Sequence, residues 1–201
     1  TSGQAPKRVV HTERSLRSFR DFEASLGAII EHHAGINPVV SDRLVWGAAP
    51  ANVPRASAIE TGYISGYLAT RPRRLLRDRT VPSAPVGALV DMAQKIHQTG
   101  LQARGRDLRM ASAVPTYLIH LLEELRAAWG VADFSAIWPR LDLILYSGTP
   151  IDCYREQIQR LLGRPVRFLG MYLATECPIG YEVPALAPQQ HGAYAFHLDQ
   201  T

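Results

Sequence analysis

With 201 residues, 46% of them hydrophobic and 20% charged, the chain has ordinary globular proportions and the length of one large domain or part of a larger one, which excludes a disordered or fibrous class. No apolar run approaches the roughly 18 residues of a membrane span, and the N-terminus lacks the basic-then-apolar layout of a signal peptide, so a soluble cytoplasmic protein is expected. The net charge of +4 comes from 22 basic and 18 acidic residues; the run Arg71, Arg73, Arg74, Arg77 and Arg79 has no interleaved aromatics and no nucleic-acid motif, and fits a solvated surface or an anionic small ligand better than a nucleic acid.

The chain opens on Thr1-Ser2-Gly3-Gln4-Ala5-Pro6-Lys7. Small and hydroxyl residues ahead of a lysine suit a loop that surrounds phosphates with backbone N–H groups while the lysine adds a point charge; they equally suit a mobile terminus. Over residues 12–33 the apolar Leu16, Phe19, Phe22, Leu26, Ile29 and Ile30 recur three or four apart, which predicts an amphipathic helix capped by Thr12 or Ser15 and ended by Gly35. His32 and His33 at its far end are expected as surface or packing residues. A short strand follows over 43–48, then a stretch rich in Pro, Gly and Ser over 49–85, then a helix over 86–99 stopped by Gly100.

The next segments alternate. A strand is predicted over 108–114, with Pro115 opening a helix that runs to Gly130; a strand over 141–146, the turn Ser147-Gly148-Thr149-Pro150 and a helix over 152–162 follow, and a strand over 166–171 completes the series. A last strand is predicted over 193–198, and there is no internal repeat. Such alternation implies an α/β fold, a mostly parallel sheet flanked by helices. The loops after Val114, Tyr146 and Met171 then share one sheet edge, the place where open α/β sheets bind ligands.

Two of those loops carry polar chemistry. In Tyr172-Leu173-Ala174-Thr175-Glu176 the ring offers a face for a base, the hydroxyl a hydrogen bond for a phosphate and the carboxylate a ligand for a divalent cation. From these residues alone a nucleotide site and a loop with a surface glutamate stand level. Cys153 and Cys177 lie far apart without metal-ligand spacing.

A resemblance extends this. Thr1-Ser2-Gly3 through Lys7 to Val10-His11-Thr12 resembles the phosphate loop of the adenylate-forming superfamily, and Tyr172 to Glu176 its second nucleotide motif. The segments Gly62-Tyr63-Ile64-Ser65-Gly66, Arg109 to Leu118, Ile137-Trp138-Pro139-Arg140-Leu141 and Tyr154-Arg155-Glu156-Gln157 are similar to the auxin-responsive Gretchen-Hagen family of acyl-acid amido synthetases. The likeness runs over nearly the whole chain.

What the resemblance implies is a ligase that uses ATP and Mg²⁺ to turn a carboxylic acid into its acyl-adenylate and then joins it to an amine or amino acid. Thr1, Ser2, Gly3 and Lys7 would belong to the phosphate loop. Ser147, Gly148 and Thr149 would lie against adenine, Tyr172 would contact the nucleotide, Thr175 would bind the α-phosphate and Glu176 would coordinate Mg²⁺. Lys7, Thr175 and Glu176 are the catalytic expectations; Tyr63, Ser65, Thr116 and Tyr117 are those for the acyl side. The family's doubled hydroxyl-glycine repeat, its later aspartate motif and its C-terminal domain have no counterpart, so the chain is expected to be the central part of the large domain, completed by a missing domain or partner chain. A noncatalytic nucleotide- or acyl-binding module and an acyl-CoA ligase are the alternatives.

Overall fold

The computed structural model describes residues 9–49, 63–174, 176–183 and 194–196. Helix α1 (Glu13–Ala34) starts where the Thr12 hydroxyl oxygen accepts the Ser15 N–H at 3.2 Å, and stops at Gly35, whose φ of 62° suits a residue without Cβ. Its apolar stripe, Phe19, Phe22, Leu26 and Ile30, is buried. Three of these residues meet Met110, Leu143, Leu145 and Leu169 of the sheet; full burial of one such side chain is worth about 1.5–3 kcal/mol.

The strands are β1 (Asp42–Trp46), β2 (Thr80–Val81), β3 (Leu108–Ala113), β4 (Leu143–Tyr146), β5 (Arg167–Leu173), β6 (Pro178–Glu182) and β7 (Tyr194–Phe196), in one sheet of order β2-β1-β3-β4-β5-β6-β7. The pairings from β2 to β5 are parallel and those of β6 and β7 antiparallel. All four residues of β4 are buried, as a central strand covered on both faces requires. On the face opposite α1 lie α5 (Pro115–Trp129) and α6 (Arg155–Leu162), which bury Leu118, Leu121, Leu122, Leu125, Ile158, Leu161 and Leu162. Phe134 and Trp138 stack there at 4.6 Å between centroids, and the Trp138 indole donates to the Ala103 carbonyl at 3.0 Å. Arg167 ties the start of β5 to the end of α1 by donating to the His33 and Ala34 carbonyls, 2.9 Å each.

The mixed α/β fold with a mostly parallel sheet is the one the alternation predicts, and the caps Gly35, Gly130 and Gly163 all adopt positive φ. Departures are local. Instead of one helix over 86–99 there are α3 (Ala84–Gly87) and α4 (Met92–Ala103), because the Asp91 carboxylate accepts the Gln94 N–H at 2.8 Å and caps a fresh start. Gly100 does not stop α4. It faces α5, where a Cβ would fall 2.6 Å from Leu125 Cδ2 and 3.3 Å from the Trp129 ring, so glycine there serves close packing of helices. Ahead of them the stretch over 49–85 contains α2 (Ile64–Thr70) and a 3-10 helix (Arg74–Arg79).

At the other end, β5 runs two residues beyond 171, so Tyr172 belongs to the strand and not to the loop. Strand β6 has no counterpart in the sequence expectation, since Pro178 and Gly180 weaken the strand signal. It folds back on β5 as a hairpin.

Candidate functional site

Because β1, β3, β4 and β5 are parallel neighbours, their carboxyl ends and the turns that follow share one edge. The turn after β4 needs Gly148 at φ 87°, a conformation that a side chain disfavours. Ser147, Gly148, Thr149 and Pro150 then form one wall of a cleft of about 480 Å³, with Tyr172 and Leu173 of β5, Asp152 and Arg155 at the start of α6, and Tyr146, Glu182 and Tyr194 completing the lining. The Thr149 hydroxyl oxygen is buried and has no hydrogen-bond partner, an orphaned polar atom of the kind a ligand satisfies. Tyr172 is 54% exposed; its ring stands edge-on to Tyr194 at 6.4 Å, and its open face suits a flat group.

Part of the cleft is a row of residues running straight across the sheet. Tyr146 of β4 pairs with Gly170 of β5, and Glu182 of β6 with Tyr194 of β7. Gly170 and Glu182 stand opposite each other, one step beyond the Met171–Tyr181 pair. Glu182 Oε2 accepts the Gly170 N–H at 2.9 Å and the Tyr146 hydroxyl at 3.2 Å. The Tyr194 hydroxyl lies in the same space, beside Gly170. Burial first, and the Glu182 charge second, push both phenols above their ordinary value, which keeps them protonated as donors. Gly170 makes the convergence possible: a Cβ there would lie 2.8 Å from Tyr194 Oη, 3.0 Å from Tyr146 Oη and 3.1 Å from Glu182 Oε2.

A second, mainly apolar cavity of about 880 Å³ lies on the α1 face of the sheet. It shares Ser147, Met171 and Leu173 with the cleft, so the two meet at the sheet edge. Ser65 and Tyr117 line this cavity, while Tyr63 and Thr116 are exposed and are not on its lining.

Of the residues singled out in the sequence, the structure therefore brings together Ser147, Gly148, Thr149 and Tyr172 in one cleft. Glu176 is exposed on the β5–β6 hairpin and lies outside the lining of both cavities. Thr1, Ser2, Gly3, Lys7 and Thr175 lie outside the described residues. Among the described residues no three His, Cys, Asp or Glu side chains gather as metal ligands, and Cys153 and Cys177 are free thiols. Tyr146, Glu182 and Tyr194 went unrecognised in the sequence, where the alternation of Gly180 and Glu182 with Ile179 and Tyr181 was the available signal. Of the arginine run, Arg79 pairs with Asp42 at 3.3 Å and Arg71 lies 4.1 Å over the Tyr67 ring.

No helix among the described residues is long and apolar enough to cross a membrane. Neither a family profile nor a curated protein matches the sequence. Among solved structures, the chain is similar to an open conformation of 2-hydroxyisobutyryl-CoA ligase in complex with 2-HIB-AMP and CoA, at 15% identity and a TM-score of 0.40, covering 76% of this chain and 32% of that one. The chain thus spans about a third of that ligase's length, and so loose a superposition carries no weight for what the chain does.

Proposed function

We propose that the chain is the nucleotide-binding core of an ATP-dependent ligase that activates a carboxylic acid as its acyl-adenylate and passes the acyl group to an amine. One observation carries it: a cleft of nucleotide size at the carboxyl edge of the sheet adjoins a larger apolar cavity, with Ser147, Met171 and Leu173 lining both. Two adjoining compartments of unlike polarity suit a molecule with a polar nucleotide half and an apolar acyl half, and the orphaned Thr149 hydroxyl supports a polar ligand on the nucleotide side.

In this reading Tyr172 stacks on the base and Ser147, Gly148 and Thr149 line its edge. Ser65 and Tyr117 border the acyl group. Thr1, Ser2, Gly3 and Lys7 would cradle the β- and γ-phosphates and Thr175 would hold the α-phosphate. Glu176, on the turn after β5, would hold Mg²⁺, an ion that commonly takes only one or two carboxylates at a phosphate site. Bound there, the metal would neutralise charge as pyrophosphate leaves; the chain's own part is to align the carboxylate with the α-phosphorus.

The test is exchange of labelled pyrophosphate into ATP by the chain in the presence of candidate acids, together with AMP binding by calorimetry. AMP binding is the expected result, and where exchange also occurs Glu176→Gln should abolish it with the fold intact. Exchange supported by any acid would rule out a noncatalytic nucleotide-binding module, and absence of both would overturn the nucleotide reading. Where exchange occurs, supplying amino acids or coenzyme A identifies the acceptor.

A further inference from the structure

We infer that Glu182 is the residue that selects the base, accepting a hydrogen bond from the exocyclic amine of adenine and disfavouring a purine with a carbonyl at that position. The inference rests on the nucleotide reading of the cleft. Glu182 lines the cleft together with Tyr172, whose exposed ring supplies a stacking face. Its carboxylate belongs at the base end, because phosphates beside an unneutralised carboxylate would be repelled.

The geometry of the row also says which base edge fits. An ionised carboxylate is acceptor only, and each oxygen takes about two donors. Oε2 already accepts the Gly170 N–H and the Tyr146 hydroxyl, at 2.9 and 3.2 Å. That leaves Oε1 as the acceptor for a ligand. Guanine is usually held by a carboxylate through two parallel bonds, one to each oxygen, and an Oε2 so occupied works against that fork. A single acceptor matches the single exocyclic amine of adenine. Hypoxanthine, with a carbonyl there, would set oxygen against oxygen. Tyr146 fixes the carboxylate instead of competing for the ligand, since it donates to Oε2, and the Tyr194 hydroxyl fills the space beside them. Gly170, lacking a side chain, leaves the room in which the three polar groups meet.

The experiment titrates the 201-residue chain with AMP, IMP and GMP in parallel and repeats the series on Glu182→Gln. The wild-type chain should bind AMP about tenfold or more tighter than IMP or GMP, the scale of one hydrogen bond to a charged acceptor. The variant's amide oxygen can still accept from Gly170 and Tyr146, while its NH₂ faces the ligand as a donor, so the preference should move towards IMP. Equal wild-type binding of AMP and IMP, or an unchanged AMP preference in the variant, overturns the role of Glu182 and leaves the nucleotide reading standing. Failure of all three nucleotides to bind overturns both. The wild-type comparison needs no variant, so poor folding of Glu182→Gln would not shelter the proposal.

Discussion

Tyr146 and Gly170 stand opposite each other on β4 and β5, and the phenol of the one reaches over the bare Cα of the other, 3.0 Å from where a Cβ would sit. The smallest residue of the sheet's carboxyl edge therefore determines where two phenols and a carboxylate meet. Gly170→Ala adds one methyl group into a space bounded by three polar atoms, all within 3.1 Å. Overpacking of this kind costs about 1–3 kcal/mol. Denaturant titration should show a loss in that range, and AMP affinity should fall as the Glu182 carboxylate is displaced. A variant as stable as wild type would mean that the row yields without cost.

The two phenols also set a pH limit on stability. Burial and the Glu182 charge raise the Tyr146 phenol above its ordinary 10.0, so the folded state keeps a proton that the unfolded chain releases. Its contribution is fully present below pH 10.0 and is lost as pH rises from there towards the raised value. Midpoints of urea unfolding measured across that window should fall less steeply in Tyr146→Phe than in wild type. Spectrophotometric titration of the wild type should in turn show late-ionising tyrosines that the variant partly lacks. Identical slopes would remove the phenol from the linkage.

How much of this was legible in the sequence follows from which signals are local. Helix α1 and helix α5 carry apolar residues at helical spacing between a good start and a glycine in the left-handed conformation, and both appear where that pattern puts them. The parallel core followed from the alternation of elements. Ser147, Gly148 and Thr149 could be singled out because turn residues after a strand stand out in a single string, and Tyr172 because an aromatic ring near a strand's end does so too, although it lies within β5. Glu182 could not, because its meaning depends on register: only when β5, β6 and β7 are paired does it fall between Gly170 and Tyr194. Gly100 misled for a similar reason. A glycine that ends a helix and one that lets two helices approach look alike until the second helix is in place.

The turn after β4 is tested by Gly148→Ala. At φ 87° a side chain is strained whatever the surrounding space, and the nearest atom to a Cβ there, Val114 Cγ2, is at an ordinary 3.6 Å. The cost is therefore conformational, about 1–2 kcal/mol, with no clash to add. Either the turn holds and stability falls by that amount, or it relaxes and the cleft wall shifts. In both cases nucleotide binding should weaken, through Ser147 and Thr149. Unchanged AMP affinity with lowered stability would separate the turn from the site.

Lys95 is a buried cation that the cleft does not use. Its side chain is 1% exposed, its ammonium donates to the Gly47 carbonyl at 2.6 Å, and it lies 4.9 Å from the centroid of the Trp46 ring. A carbonyl and an indole face recover only part of what water gave the charge, and burial accordingly lowers the pKa below the ordinary 10.5. The sign is opposite to that of the phenols. Between the depressed value and 10.5 the unfolded chain binds the extra proton, so stability is fully present at the upper end and is lost as pH falls through the folded pKa. Lys95→Met removes the buried charge but leaves the Gly47 carbonyl without its donor, a loss of about 1–3 kcal/mol that does not depend on pH. The variant should therefore compare most favourably with wild type near neutrality and fall behind as pH approaches 10. Unfolding midpoints at pH 7, 8, 9 and 10 decide it. Parallel curves for the two proteins would show that the ammonium keeps its proton throughout, held more firmly by Gly47 and Trp46 than its burial implies.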